Sequence, residues 1–157
     1  MKKAVQLIEE GAGVRDPIFI YSTLSSLYLY AQQLPEGVAT LAKLGADYLQ
    51  RNKDLVSKVY DIARSCRKEA YQKQEKDMSS AQALYNAAIV GFEALPPSYN
   101  SARVCYNKGK CYEGLGKLET ALKIYQHGIT LAEQKSDASW DLQQAFSRVQ
   151  KKLGAKK

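Results

Sequence analysis

Residues 102–132 read ARVCYNKGKCYEGLGKLETALKIYQHGITLA, and the fold class turns on this stretch. In its second half Leu118, Ala121, Leu122, Tyr125, Gly128, Ile129 and Ala132 recur at intervals of three and four, which lines one face of an α-helix and not of a strand. Gly116-Lys117 interrupts the run, with the glycine placed as a helix stop, so residues 101–115 and 118–134 are expected as two helices folded back on each other. One such hairpin cannot bury the apolar sides of both its helices. Further pairs must therefore stack on it.

Working outward, the rest of the chain supplies them. Ala4, Ala39, Ala81 and Ala121 each open a similar helical run, at successive offsets of 35, 42 and 40 residues. Small residues recur seven further on, at Gly11, Ala46, Ala88 and Gly128, two turns along the same face, where a neighbouring helix can approach closely. Residues 17–34 pair with 36–50 across Pro35-Glu36-Gly37, where the proline fits the first turn of the second helix. Residues 54–75 pair with 79–94 across Lys76-Asp77-Met78, with Ser79 as the expected N-cap. The face Ala81, Leu84, Tyr85, Ala88, Ile89, Phe92 and Leu95 again keeps helical spacing, and Pro96-Pro97 closes that pair before the next begins.

The block from Asp137 to Leu153 reads as a capping helix. Leu142, Ala145, Phe146, Val149 and Leu153 would face inward, while Arg148, Gln150, Lys151 and Lys152 stay in water. Residues 2–11 read as the second helix of a pair, a half-repeat. The expectation is one all-α domain over 1–157: an antiparallel stack of helix hairpins at 17–50, 54–94 and 101–134, about seven or eight helices in all, closed by the C-terminal cap.

Composition agrees with that architecture. The chain has 157 residues, 45% of them apolar and 25% charged, with only four prolines, which suits one globular domain and argues against disorder. Between Asp16 and Glu36 no residue is charged, yet Ser22, Thr23, Ser25, Ser26, Gln32 and Gln33 fall inside that stretch, so a helix buried between helices is expected and not a membrane span. Glu9 and Glu10 follow too soon after Met1-Lys2-Lys3 for a secretory leader. Cys66, Cys105 and Cys111 form an odd set with no disulfide framework, which points to reduced thiols and a cytoplasmic setting.

From Ala102 onward the residues resemble a tetratricopeptide repeat (TPR), whose pattern places small and aromatic residues at fixed offsets. Gly109 stands at the small eighth position, Tyr112 at the eleventh, Ala121 at the twentieth, Tyr125 at the twenty-fourth and Gly128 at the twenty-seventh, with Cys105 where tryptophan is usual. Tyr30, Ala39 and Ala46 align in a first unit, where Leu27 and Lys43 depart from the pattern. Ala81, Tyr85 and Ala88 align in a second, where Glu69 and Gln72 depart. The longer offsets loosely resemble the variant repeats of kinesin light chains and of the soluble adaptors of vesicle fusion. The resemblance implies a binding module whose groove is lined by the first helix of each pair. Carried onto this chain, its groove positions are Arg103, Tyr106, Asn107, Lys110 and Glu113, joined by Tyr21, Leu24 and Tyr28 from the first unit. Tyrosines at one end and basic residues at the other suit a peptide or helix of another protein that carries acidic residues. Chaperone-tail clamping is not implied, because the first unit supplies no basic residue. Residues 101–153 also resemble a microtubule-interacting-and-trafficking domain, through Ala121, Tyr125, Gly128 and Ile129, which would make this region a three-helix trafficking adaptor.

Nothing in the sequence suggests catalysis, a metal or a cofactor. His127 has no nucleophile or carboxylate at turn spacing, and Cys105 and Cys111, six residues apart, point different ways on a helix. Gly109, Gly114 and Gly116 lack the preceding strand and following Lys-Ser or Lys-Thr of a phosphate loop. Nucleic acid is the alternative partner: 23 basic against 16 acidic residues leave a charge of +7, and Arg148, Lys151, Lys152, Lys156 and Lys157 crowd the C-terminal end.

Overall fold

The computed structural model describes residues 34–42 and 46–155. Among them are seven α-helices, one short 3-10 turn and no strand. The helices are α1 (Leu34–Ala42), α2 (Ala46–Arg51), α3 (Lys53–Lys73), α4 (Met78–Ala94), α5 (Ala102–Gly114), α6 (Leu118–Lys135) and α7 (Trp140–Gly154). The 3-10 turn, Pro97–Tyr99, separates α4 from α5 where the proline pair was expected to break the chain. The last five helices lie within three residues of their expected bounds. The expected half-repeat at 2–11 and the helix at 17–34 lie outside the described residues. Of the helix expected at 36–50, α1 and α2 are described, and residues 43–45 between them lie outside the described residues.

Local chemistry accounts for the helix ends. Ser101 caps α5 by accepting the Val104 N–H at 3.4 Å. The cap of α4 is Asp77 and not the expected Ser79: its carboxylate accepts the Ser80 N–H at 3.0 Å. A charged cap two residues earlier also answers the positive end of the helix dipole, which a serine cannot. At the end of α5, Gly116 takes φ +72°, and Lys117 N donates to the Tyr112 carbonyl at 2.9 Å while Gly116 N donates to Glu113 at 3.0 Å. The same pair of bonds ends α6, from Asp137 to Ala132 at 2.9 Å and from Ser136 to Glu133 at 3.2 Å. There the left-handed position is held by Ser136, at φ 54°, without glycine's freedom.

The packing contacts run in opposite directions along α3 and α4. Tyr85 Oη donates to Gln74 Oε1 at 2.9 Å near the connecting turn, and Tyr60 meets the Phe92 ring edge-on at 5.9 Å at the far end. Between these points Gly91 lies so close to Ala63 and Val38 that an added methyl would stand 2.7 Å and 2.8 Å from them. The pair α5 and α6 is built alike. Gly128 of α6 sits against Cys105, and Gly109 of α5 leaves just the room that the Tyr125 ring occupies. Between the pairs, Gly114 of α5 faces the Tyr85 ring of α4. Tyr85 and Tyr125 are thereby buried, a gain of roughly 1.5–3 kcal/mol for a side chain of this size.

Contacts join α3 to α5, α4 to α5, α6 to α7 and α5 to α7, while α1 lies on α3 and α4. The buried residues fall into two clusters. One runs from Val38 to Cys111, the other from Leu118 to Val149, and Tyr112 packs against both. On α7, Leu142, Ala145 and Val149 are buried as expected, with Phe146 and Leu153 half-buried. Ala81 and Ala121 are fully buried, but Ala39, expected on the same small-residue face, is exposed. Its helix turns Val38 and Thr40 inward, because the cover on α1 comes from Gly91 and its neighbours at the Val38 position. No described helix is long and apolar enough to cross a membrane.

Candidate functional site

Helices α3 and α5 are the first members of their pairs, and they lie side by side. Their junction is polar and specific. Asn107 Nδ2 donates to Tyr60 Oη at 3.1 Å and to the Arg103 carbonyl at 2.8 Å, and the Arg103 guanidinium stands 5.7 Å from the centre of the Tyr60 ring. Asn107 is buried, so its amide bonds fix the two helices to one another. Arg103 is exposed, and Tyr106, half-buried, leans on Tyr125 with ring centres 6.4 Å apart. Three of the five expected groove residues on α5, Arg103, Tyr106 and Lys110, thus keep part of their side chains toward water, while Asn107 holds the helices together. Tyr21, Leu24 and Tyr28 lie outside the described residues.

Glu113, the fifth, is the centre of an ion cluster. Its side chain is 10% exposed. Arg148 of α7 donates from Nε at 3.0 Å and from Nη2 at 2.8 Å, one to each carboxylate oxygen, and Lys152 Nζ donates at 3.0 Å. Tyr125 Oη adds a hydrogen bond at 3.1 Å, and Lys110 Nζ stands at 3.9 Å. Burial alone would raise the pKa of this carboxyl, but the Arg148 and Lys152 hydrogen bonds, with the nearby Lys110 charge, overcome it and bring it down to about 2. Lys110 is also shifted down, which in its case disfavours the charged form: burial and the Arg148, Arg67 and Lys152 charges hold its ammonium below the ordinary lysine range, against the pull of Glu113. Arg148 and Lys152, read from sequence as solvated, prove to be the tie between the cap and α5. Arg67 of α3 is near enough for its charge to act on Lys110, and its Nε is buried with no hydrogen-bond partner among the described residues.

A second site escaped the sequence reading. A cleft of about 510 Å³ opens where α4, the proline turn, α5 and α6 meet, with Phe92, Leu95 and Val104 among its apolar lining. At its edge Asn100 Nδ2 lies 3.2 Å from His127 Nε2, while the Cys105 thiol donates to Asn100 Oδ1 at 3.7 Å. Sequence spacing alone could not bring these three together, since Asn100 and His127 are joined only by the folding of α5 onto α6. The amide stands between thiol and imidazole. Burial pushes the Cys105 thiol up, partly offset by Lys108, so it stays protonated and makes a poor nucleophile. Cys66 and Cys111 are buried too, and burial foremost pushes both up to about 12. Among the described residues no group of three His, Cys, Asp or Glu could hold a metal ion.

Compared with family models, curated proteins and solved structures, the chain matches none.

Proposed function

We propose that this chain is a non-catalytic interaction module, a TPR-like stack of helix hairpins that binds a peptide or helix of another protein along the face formed by α3 and α5. The observation that supports this reading is the junction of those two helices. Tyr60, Asn107 and Arg103 lock them together, so a docking segment meets a preformed surface and loses little free energy to ordering it. On that surface Tyr106 offers an aromatic plate, and Arg103 and Lys110 offer positive charge, which favours a segment that combines an apolar anchor with carboxylates. The alternation of contacts, α3 with α4, α4 with α5 and α5 with α6, is what a stack of hairpins requires.

The test is an exchange of charge on the face. A protein partner recovered with the full chain should be lost from the double variant Arg103→Glu plus Lys110→Glu while its circular dichroism stays that of the parent. Full retention of the partner would remove the face from consideration.

A further inference from the structure

The cation cluster at one end of this face is out of balance. Arg67, Lys110, Arg148 and Lys152 approach from three helices, and among the described residues the only carboxylate with them is Glu113, which leaves a local surplus of three positive charges. Two features say that the surplus is unfilled. The Nε of Arg67 is buried without a partner among the described residues, although such a donor loses its water on burial and costs free energy until an acceptor arrives. Lys110 reaches Glu113 only at 3.9 Å, beyond hydrogen-bond range, so its ammonium protons have no close acceptor there. The site is nevertheless reachable: the Lys110 side chain is 22% exposed, and Arg148 and Lys152 beside it are 42% and 51% exposed.

We propose that Arg67, Lys110, Arg148 and Lys152 form a phosphate-binding site, and that the phosphate it takes is a phosphorylated side chain on the protein segment that docks along α3 and α5. A single carboxylate would cancel one of three surplus charges. A phosphate monoester brings close to two, with three acceptor oxygens that point in different directions, which suits donors arriving from three separate helices. Glu113 stays ionised and holds Arg148 and Lys152 in place, so the ligand is met on the side of Arg67 and Lys110. The phosphate site itself stands on the cluster alone, and only the source of the phosphate rests on the groove reading.

The full chain and three variants, R67Q, K110Q and E113Q, would be titrated with inorganic phosphate at constant ionic strength, followed by NMR or calorimetry. Saturable binding is expected, weakened about five-fold or more in R67Q or K110Q and tightened in E113Q, which removes the internal competitor. Using two variants on different helices protects the test should one fail to fold. Absence of saturable binding, indifference to both R67Q and K110Q, or tighter binding of tetraglutamate than of phosphate would each overturn the site. The second arm compares a phosphoserine peptide with its serine twin and with oligouridylate. Tighter binding of the phosphopeptide than of free phosphate supports the protein source. No gain from the peptide, or preference for the oligouridylate, overturns that source, while the result on free phosphate judges the site and the Arg103→Glu plus Lys110→Glu exchange judges the groove.

Discussion

Replacing Glu113 by glutamine removes the charge that ties α7 to α5 while keeping the shape. The folded carboxyl titrates at about 2 against an ordinary 4.5, and at about 1.4 kcal/mol per pH unit the difference corresponds to about 3 kcal/mol of folding stability. Arg148 and Lys152 are about half exposed, so water and salt weaken their hold, and we expect about 2 kcal/mol at pH 7. The sign fixes the pH window. Because the folded pKa is depressed, the contribution is present in full above the unfolded value near 4.5 and is lost as pH falls toward 2. Urea unfolding followed by circular dichroism at pH 7, 5, 4 and 3 should therefore find the parent more stable than E113Q by a constant margin at pH 7 and 5, and by a shrinking one below. A gap absent at pH 7, or one unchanged between pH 7 and pH 3, would refute the reasoning.

Other substitutions probe the packing. Gly114→Ala drives a methyl into the Tyr85 ring between the two hairpins, and thermal unfolding should register a loss of about 1–3 kcal/mol. Ser136→Gly relieves the left-handed position at the end of α6 and should stabilise by about 0.5–1 kcal/mol in the same assay. Cys66 and Cys111, buried and pushed up to about 12, should resist a thiol reagent at pH 8 in the native chain and react at once in denaturant. A fragment of residues 98–157 loses the Tyr85 ring that faces Gly114 and the cluster around Cys111, so it should unfold at lower urea than the full chain, whereas equal stability would favour an independent three-helix trafficking domain.

Features settled within a few residues of themselves were legible in the sequence. The Gly116 stop and the proline break before α5 each place a helix end without reference to the rest of the chain. The buried faces of α4 and α6 were legible for a similar reason, since their apolar periodicity runs unbroken for several turns. Ala39 was not, because which row of a short helix is buried depends on what covers it, and Gly91 lies far along the chain. The roles of Asn107 and Glu113 were hidden in the same way. The repeat resemblance marked them as groove positions, but Tyr60 is 47 positions before Asn107, and Arg148 and Lys152 are 35 and 39 beyond Glu113. No local pattern announces a partner at that separation. Cys105, Asn100 and His127 carry the same lesson, for only the closure of α6 onto α5 makes them neighbours.

The claim on which the functional account depends is that a protein partner lies against α3 and α5. A photo-reactive amino acid placed at Tyr106, on that face, and separately at Gln126, exposed on α6, reads this out directly in the full chain. The account predicts cross-links to the partner from position 106 and none from 126. Cross-links from 126 alone, or equally from both positions, would contradict it.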